Sequence, residues 1–233
     1  AARAWRSWST DARYQSALVG AVLAPVAIVL LVATVVDAPA AVALSMGPLM
    51  AATIGWGRHN DLAFDGAAFW MHVVAAVPGR ADRWGRTAAV LRWAVPVTVV
   101  VALVGAVVAG RADLAAASMG ASFGLLGAGL AVSAVLSPVL PYSVPEAGSN
   151  PFATEMGSVG ASLVAQLVSS AATLVVSLPV LVAFGMALWW DPAMAWVTLV
   201  LGLLGGAAVL AIGVRWGGRL YDERAVWLLA RVR

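Results

Sequence analysis

The sequence has no cysteine and no lysine, only two histidines, and few charges of either sign. Without cysteine there can be no disulfide, no thiolate metal site and no cysteine nucleophile. Without lysine there can be no phosphate-cradling GxxxxGK[ST] loop, so a nucleotide bound in that way must be held by another polypeptide. Charged residues make up 11% of the chain against about 25% in soluble domains. Hydrophobic residues make up 62%, and together these values exclude an ordinary soluble domain.

The apolar residues fall in runs. Crossing about 30 Å of hydrocarbon takes about 20 helical residues. Six segments qualify: Ala17–Val36, Ala38–Trp56, Trp93–Gly110, Leu114–Leu140, Val159–Trp190 and Met194–Val214. Three of the links are very short, around Asp37, at Arg111–Asp113 and at Asp191-Pro192, which predicts three antiparallel helical hairpins. The expected fold class is therefore an all-α integral membrane protein of six spans (residues 15–214), with cytoplasmic segments over 57–92 and 141–158.

All fourteen basic residues are arginine. Thirteen of them lie before the first span, between the second and third, or after the sixth, leaving only Arg111 on the other side. Cytoplasmic loops carry the excess of basic residues. Both termini are thus expected in the cytoplasm of a bacterial inner (plasma) membrane. The basic excess is explained by the membrane surface, and no nucleic-acid partner is expected. The span interiors carry almost no ionisable groups, which counts against proton relays and ion-coupled transport. Gly124, Gly127 and Gly129, and Gly202, Gly205 and Gly206, would permit close helix contact without forming strict GxxxG motifs.

Three cytoplasmic elements stand out. "RAWRSWSTDARY", within residues 1–14, places Trp5 and Trp8 on one helical face with Arg6 and Arg13 on another. That pattern suits a short helix in the headgroup plane. "NDLAFDGAAFWMHVVAAVPGRADRWGR" begins at Asn60, a plausible N-cap with Asp61 in the first turn. Asp61, Asp65 and His72 share one face of a helix that should stop near Val77, before the Pro78-Gly79 breaker pair. Two carboxylates and an imidazole could bind a metal, but no fourth ligand has fitting spacing. A partner-docking face or a solvated polar face remains. The tail from 215 to 233 is basic and amphipathic, as expected of another interfacial helix. Pro141, Pro145 and Pro151 predict an extended loop, with Glu146 and Glu155 as its only charges.

No catalytic arrangement emerges. His-Glu-x-x-His is absent, no aspartates pair within spans, and the serine of Gly157-Ser158-Val159-Gly160 has no histidine in its own segment. The chain is not expected to be an enzyme.

An amphipathic Trp/Arg helix followed by six spans, with a long cytoplasmic segment after the second, resembles the ABC-2 type exporter permeases. "PYSVPEAGSNPF" and "NDLAFDGAAFW…PGRADRWGR" are similar to the C-terminal six-span half of large actinobacterial permeases of this kind. The resemblance implies that Arg3–Tyr14 is an elbow helix and that roughly Asn60–Val77 is a coupling helix docking on an ATPase subunit. Asn60, Asp61, Phe64, Asp65, Phe69 and His72 would be its docking residues. It further implies that ATP and Mg are bound by that partner and not by this chain, and that a second six-span half completes the permease. A hydrophobic or amphipathic cargo would be exported. The alternatives are a secondary transporter or channel working without ATP, or a structural membrane protein.

Overall fold

The structure, a computed structural model, describes residues 2–35, 39–145, 148 and 156–231. Among these residues the fold is all-helical, without a strand. Five helices are long and apolar enough to cross a membrane, which makes this a multi-pass membrane protein.

Helix α1 (Ala2–Thr10) turns at Asp11 into α2 (Ala12–Val35), the first apolar helix. A 3-10 segment, Ala40–Ser45, continues directly into α3 (Met46–Trp56). With a rise of about 2.0 Å per residue for the first part and about 1.5 Å for the second, Ala40–Trp56 reaches about 28 Å. It is shorter in residues than the five long helices, yet nearly as tall as the hydrocarbon core. After a polar excursion come a five-residue helix, α4 (Trp70–Val74), and the long α5 (Gly79–Val108). Then follow α6 (Ala115–Leu136), α7 (Val159–Trp189), and α8 (Met194–Val200), which runs through a π turn at Leu201–Gly205 into α9 (Gly206–Arg231).

Helix α6 is the axis of the bundle. It is buried over most of its length and touches α3, α5, α7, α8 and α9. Small residues make this possible, because a helix of Gly, Ala and Ser lets neighbouring backbones approach closely. A Cβ placed on Gly127 would lie 2.5 Å from the Gly206 carbonyl oxygen, and one on Gly55 would lie 2.9 Å from Gly129 Cα. Buried serines fasten the same seams: Ser118 Oγ donates to the Leu44 carbonyl at 2.8 Å, and Ser133 Oγ to the Gly55 carbonyl at 2.8 Å. The paired positions rise together along both partners. Leu44 meets Ser118 and Gly55 meets Gly129, while Gly120 meets Gly202 and Gly127 meets Gly206. Helices α3, α6 and α9 therefore run parallel. Helix α5 runs antiparallel to α3, with Gly105 against Ala43 and Ala102 against Gly47.

The structure differs from the sequence expectation at three places. The helix that carries the span expected from Trp93 starts earlier, with residues 80–86 as the first turns of α5, one rod from Gly79 to Val108. The basic tail is no separate interfacial helix. It is the unbroken helical continuation of the preceding apolar run to Arg231, and it packs on the polar excursion through Tyr221 and Leu228. The physical reason is burial, because Leu62, Ala63, Phe69, Tyr221 and Leu228 form a small core of their own.

The third difference is the expected helix from Asn60 to Val77, which is broken. Residues 57–62 form turns, Ala63–Phe69 is 3-10 and kinked, and only Trp70–Val74 is α-helical. At the kink Gly66 has φ 49° and ψ −136°, a combination that only glycine adopts without strain. The stop near Val77 is where the sequence places it. The Ala76 and Val77 N–H groups donate to the Val73 and His72 carbonyls, a Schellman closure. Ala76, at φ 46°, holds the left-handed position usually given to glycine. Relief of that strain is worth about 1–2 kcal/mol and is partly offset by the greater freedom of glycine in the unfolded chain. Ala76→Gly is expected to stabilise the protein by up to about 1 kcal/mol in reversible unfolding; a loss of stability would contradict the assigned backbone conformation.

Of the proline-rich loop, residues 141–145 have no regular secondary structure, and Met156–Ser158 is 3-10. Glu146 and Glu155 lie outside the described residues, as does the link around Asp37.

Candidate functional site

The arginine-rich end of the bundle holds a buried cluster of charge. Asp82, in the first turn of α5, accepts from Arg83 Nε at 3.0 Å and from Arg86 Nε at 3.0 Å. His72 Nδ1 on α4 stands 3.1 Å from the same carboxylate, close enough to attract it but off hydrogen-bond geometry. Arg83 reaches on to Asp61, with Nη1 to Oδ1 at 2.9 Å, and Ser137 Oγ donates to that oxygen at 2.8 Å. Arg86 pairs with Asp65 and also donates to the Asp61 backbone carbonyl at 2.8 Å. Arg83 is only 2% exposed.

Helical spacing explains part of this. Asp82 and Arg86 are an i,i+4 pair on one face of α5. The rest comes from the fold of residues 57–74, which lays Asp61, Asp65 and His72 over that face. Asp61, Asp65 and Asp82 pair with Arg83 and Arg86, and Arg58 nearby supplies the third positive charge, so the formal charges cancel with histidine neutral. Buried ions persist only when paired and hydrogen-bonded in this way.

Arg58 is held differently. Its guanidinium lies between the rings of Trp8, Tyr14 and Phe64, at 5.0, 5.5 and 5.6 Å from their centroids. Its Nη1 is buried with no hydrogen-bond partner. Burial lowers its pKa, since desolvation penalises the charged form. Its neighbour His59 is likewise pushed below the ordinary histidine value by burial. The His59 ring bridges the Trp56 carbonyl at 2.8 Å and the Tyr142 hydroxyl at 3.0 Å.

The predicted docking residues are thus brought together, but facing inward. Asn60 does not cap a helix; its amide donates to the Tyr142 carbonyl at 2.8 Å, tying the excursion to the proline-rich loop. Asp61 and Asp65 are each engaged by arginine. Phe69 is 1% exposed in the small core with Tyr221, and Phe64 packs against Tyr14. The acidic face also does not converge as a metal site, because each acidic group and the imidazole turns to a different partner. What faces outward on this segment is apolar: Trp70, Met71 and Val74, with Val74 75% exposed. Only one feature of the sequence hinted at this. Met71 and Val74 are three apart on the side of α4 away from the acidic residues.

The residues expected in the headgroup plane are divided. Arg6 is exposed. Trp5 is half-buried under the Arg92 guanidinium, 4.3 Å from its ring centroid. Trp8 is buried against Tyr14 and Trp93. Arg13 is buried too, bonded to Asp11 and to the Pro145 and Phe64 carbonyls at 2.8 and 3.0 Å. Helix α1 is therefore packed onto the protein, with indoles inward.

No family model matches the chain, and no curated protein or solved structure is significantly similar to it. The functional reading rests on the geometry above.

Proposed function

We propose that the chain is the membrane-spanning subunit, or half-subunit, of an ATP-driven exporter of the ABC-2 kind. In this reading Ala40–Trp56 is the second of six crossings, α1 is the elbow helix, and the arginine-rich end lies in the cytoplasm of the plasma membrane. ATP and Mg belong to a partner ATPase, a second six-span half completes the pathway, and the cargo is hydrophobic or amphipathic.

One observation carries the proposal: the excursion after α3 presents an apolar tip and is fixed to a membrane-crossing helix by ion pairs. Trp70, Met71 and Val74 offer the outward surface. Behind them His72 meets Asp82, and Arg86 meets Asp65. Movement of the tip would thus be passed to α5 through His72 on α4 and Asp65 on the 3-10 stretch before it. Coupling of this kind requires a partner whose two nucleotide states contact the tip differently. The side chains for such contact are Trp70, Met71 and Val74, in place of the acidic face suggested by the sequence.

The test is co-purification from the native membrane. A nucleotide-hydrolysing subunit is expected with the wild-type chain, and Trp70→Glu combined with Met71→Glu is expected to reduce its recovery by about tenfold or more. Copurification of no ATPase, or undiminished recovery with a correctly folded double variant, would overturn the proposal.

A further inference from the structure

Helices α5 and α9 meet at a pair of glycines. A Cβ on Gly218 would lie 2.7 Å from the Arg80 nitrogen and 3.1 Å from the Gly79 carbonyl carbon, so the backbones touch where α5 begins. Beside this contact the Gly79 N–H donates to Asp222 Oδ1 at 2.6 Å. Arg80 and Arg219 each follow one of the two glycines by one residue, a turn of about 100° in a right-handed helix. Because the helices run in opposite directions, these turns bring both arginines out on the same side of the seam. One turn toward the bilayer, Trp84 follows on α5 and Arg215 on α9, and a further turn on stand Ala88 and Ile212. All six residues are exposed.

Other arginines near this seam are already engaged. Arg83 and Arg86 pair with carboxylates, and Arg92 lies over the Trp5 ring. Among the described residues, the side chains of Arg80, Arg215 and Arg219 have no hydrogen bond, ion pair or aromatic ring to hold them. Asp222 and Glu223 lie beyond them on α9, on the side away from the apolar stretch. Within the groove the arginines therefore stand between those carboxylates and the bilayer. Exposed guanidiniums converging from two helices suit a ligand with several anionic oxygens, and phosphate matches their planar donor fork. Indole and arginine at one depth mark the level of lipid headgroups. The apolar face that continues past Trp84 and Arg215 suits an acyl chain, which a free anion lacks.

We propose that the outer groove between α5 and α9 is a binding site for an anionic phospholipid. Its phosphate accepts from Arg80, Arg215 and Arg219, and an acyl chain lies along Ala88 and Ile212. The inference needs only a chain that spans a membrane, and it is independent of the export reading.

The test uses the purified full chain in detergent, with phosphatidylglycerol, phosphatidylcholine or inorganic phosphate added, and bound lipid counted by native mass spectrometry. Phosphatidylglycerol is expected to bind about tenfold more tightly than phosphatidylcholine. Arg80→Gln combined with Arg219→Gln is expected to remove that preference. Both side chains are exposed, so the variant should unfold at the same temperature as the wild type. Arg6→Gln combined with Arg231→Gln removes the same charge elsewhere and is expected to keep the preference. Equal binding of the two lipids would overturn the proposal, and so would an equal loss in the two double variants, which would make the attraction one of general charge. Displacement of the lipid by millimolar phosphate would assign the site to a free anion and overturn it as well. A benzophenone side chain at position 84, photolysed in the native membrane, is expected to capture lipid; capture of a protein there instead would also overturn it.

Discussion

Asp82→Ala is expected to destabilise the protein by about 3–5 kcal/mol, the largest loss for any single truncation in the polar cap. The magnitude follows from what is left behind. Asp82 is shared by Arg83 and Arg86 and faces His72. Arg83 is nearly inaccessible to water, so removing the carboxylate strands buried positive charge. Replacing a whole buried ion pair by apolar groups can be neutral, but breaking it from one side is not. Asp82→Asn keeps the shape and some hydrogen bonds, and its loss should be smaller. Unfolding in mixed micelles would measure both. A loss below about 1 kcal/mol for Asp82→Ala would mean that water reaches the cluster and screens it.

Gly120→Val should rival that effect by a different route. A Cβ on Gly120 would overlap the Thr198 carbonyl and stand 2.5 Å from the Leu199 nitrogen, and Gly202 faces the same contact from the opposite helix. The obstruction is backbone, which cannot turn aside as a side chain does. Helices α6 and α8 must separate, at a cost of about 1–3 kcal/mol or more. Gly205→Ala in the same rod meets open space and should stay within about 0.5 kcal/mol of the wild type. Comparable losses for the two variants would contradict the assigned helix seam.

These glycines show what could be read in advance. The sequence placed Gly202, Gly205 and Gly206 on an equal footing, because spacing alone does not reveal which backbone lies opposite. The structure separates them: Gly202 and Gly206 meet α6, and Gly205 meets nothing. Long apolar runs were legible because span length is fixed by bilayer thickness. Only Ala40–Trp56 falls short of that length, since part of it is the more extended 3-10 helix. In the polar segment, periodicity put Asp61, Asp65 and His72 on one face of a continuous helix, whereas turns and a kinked 3-10 stretch are what lay them against α5. Periodicity could not say that α5 supplies arginines for these residues, a contact between residues more than twenty apart. Nor could it register Gly66, whose backbone breaks the helix that the pattern described.

The uninterrupted course of α9 has a geometric consequence. From Arg215 to Arg231 the rod runs on for about 24 Å beyond the apolar stretch, at about 1.5 Å per residue. A change of ~10° in its inclination within the bilayer would sweep its far end sideways by ~4 Å. Tyr221 and Leu228 ride on that rod and are buried against Leu62 and Phe69, so the small core travels with it. A tilt of α9 would therefore be felt in the polar excursion after α3, through the side chains the two share.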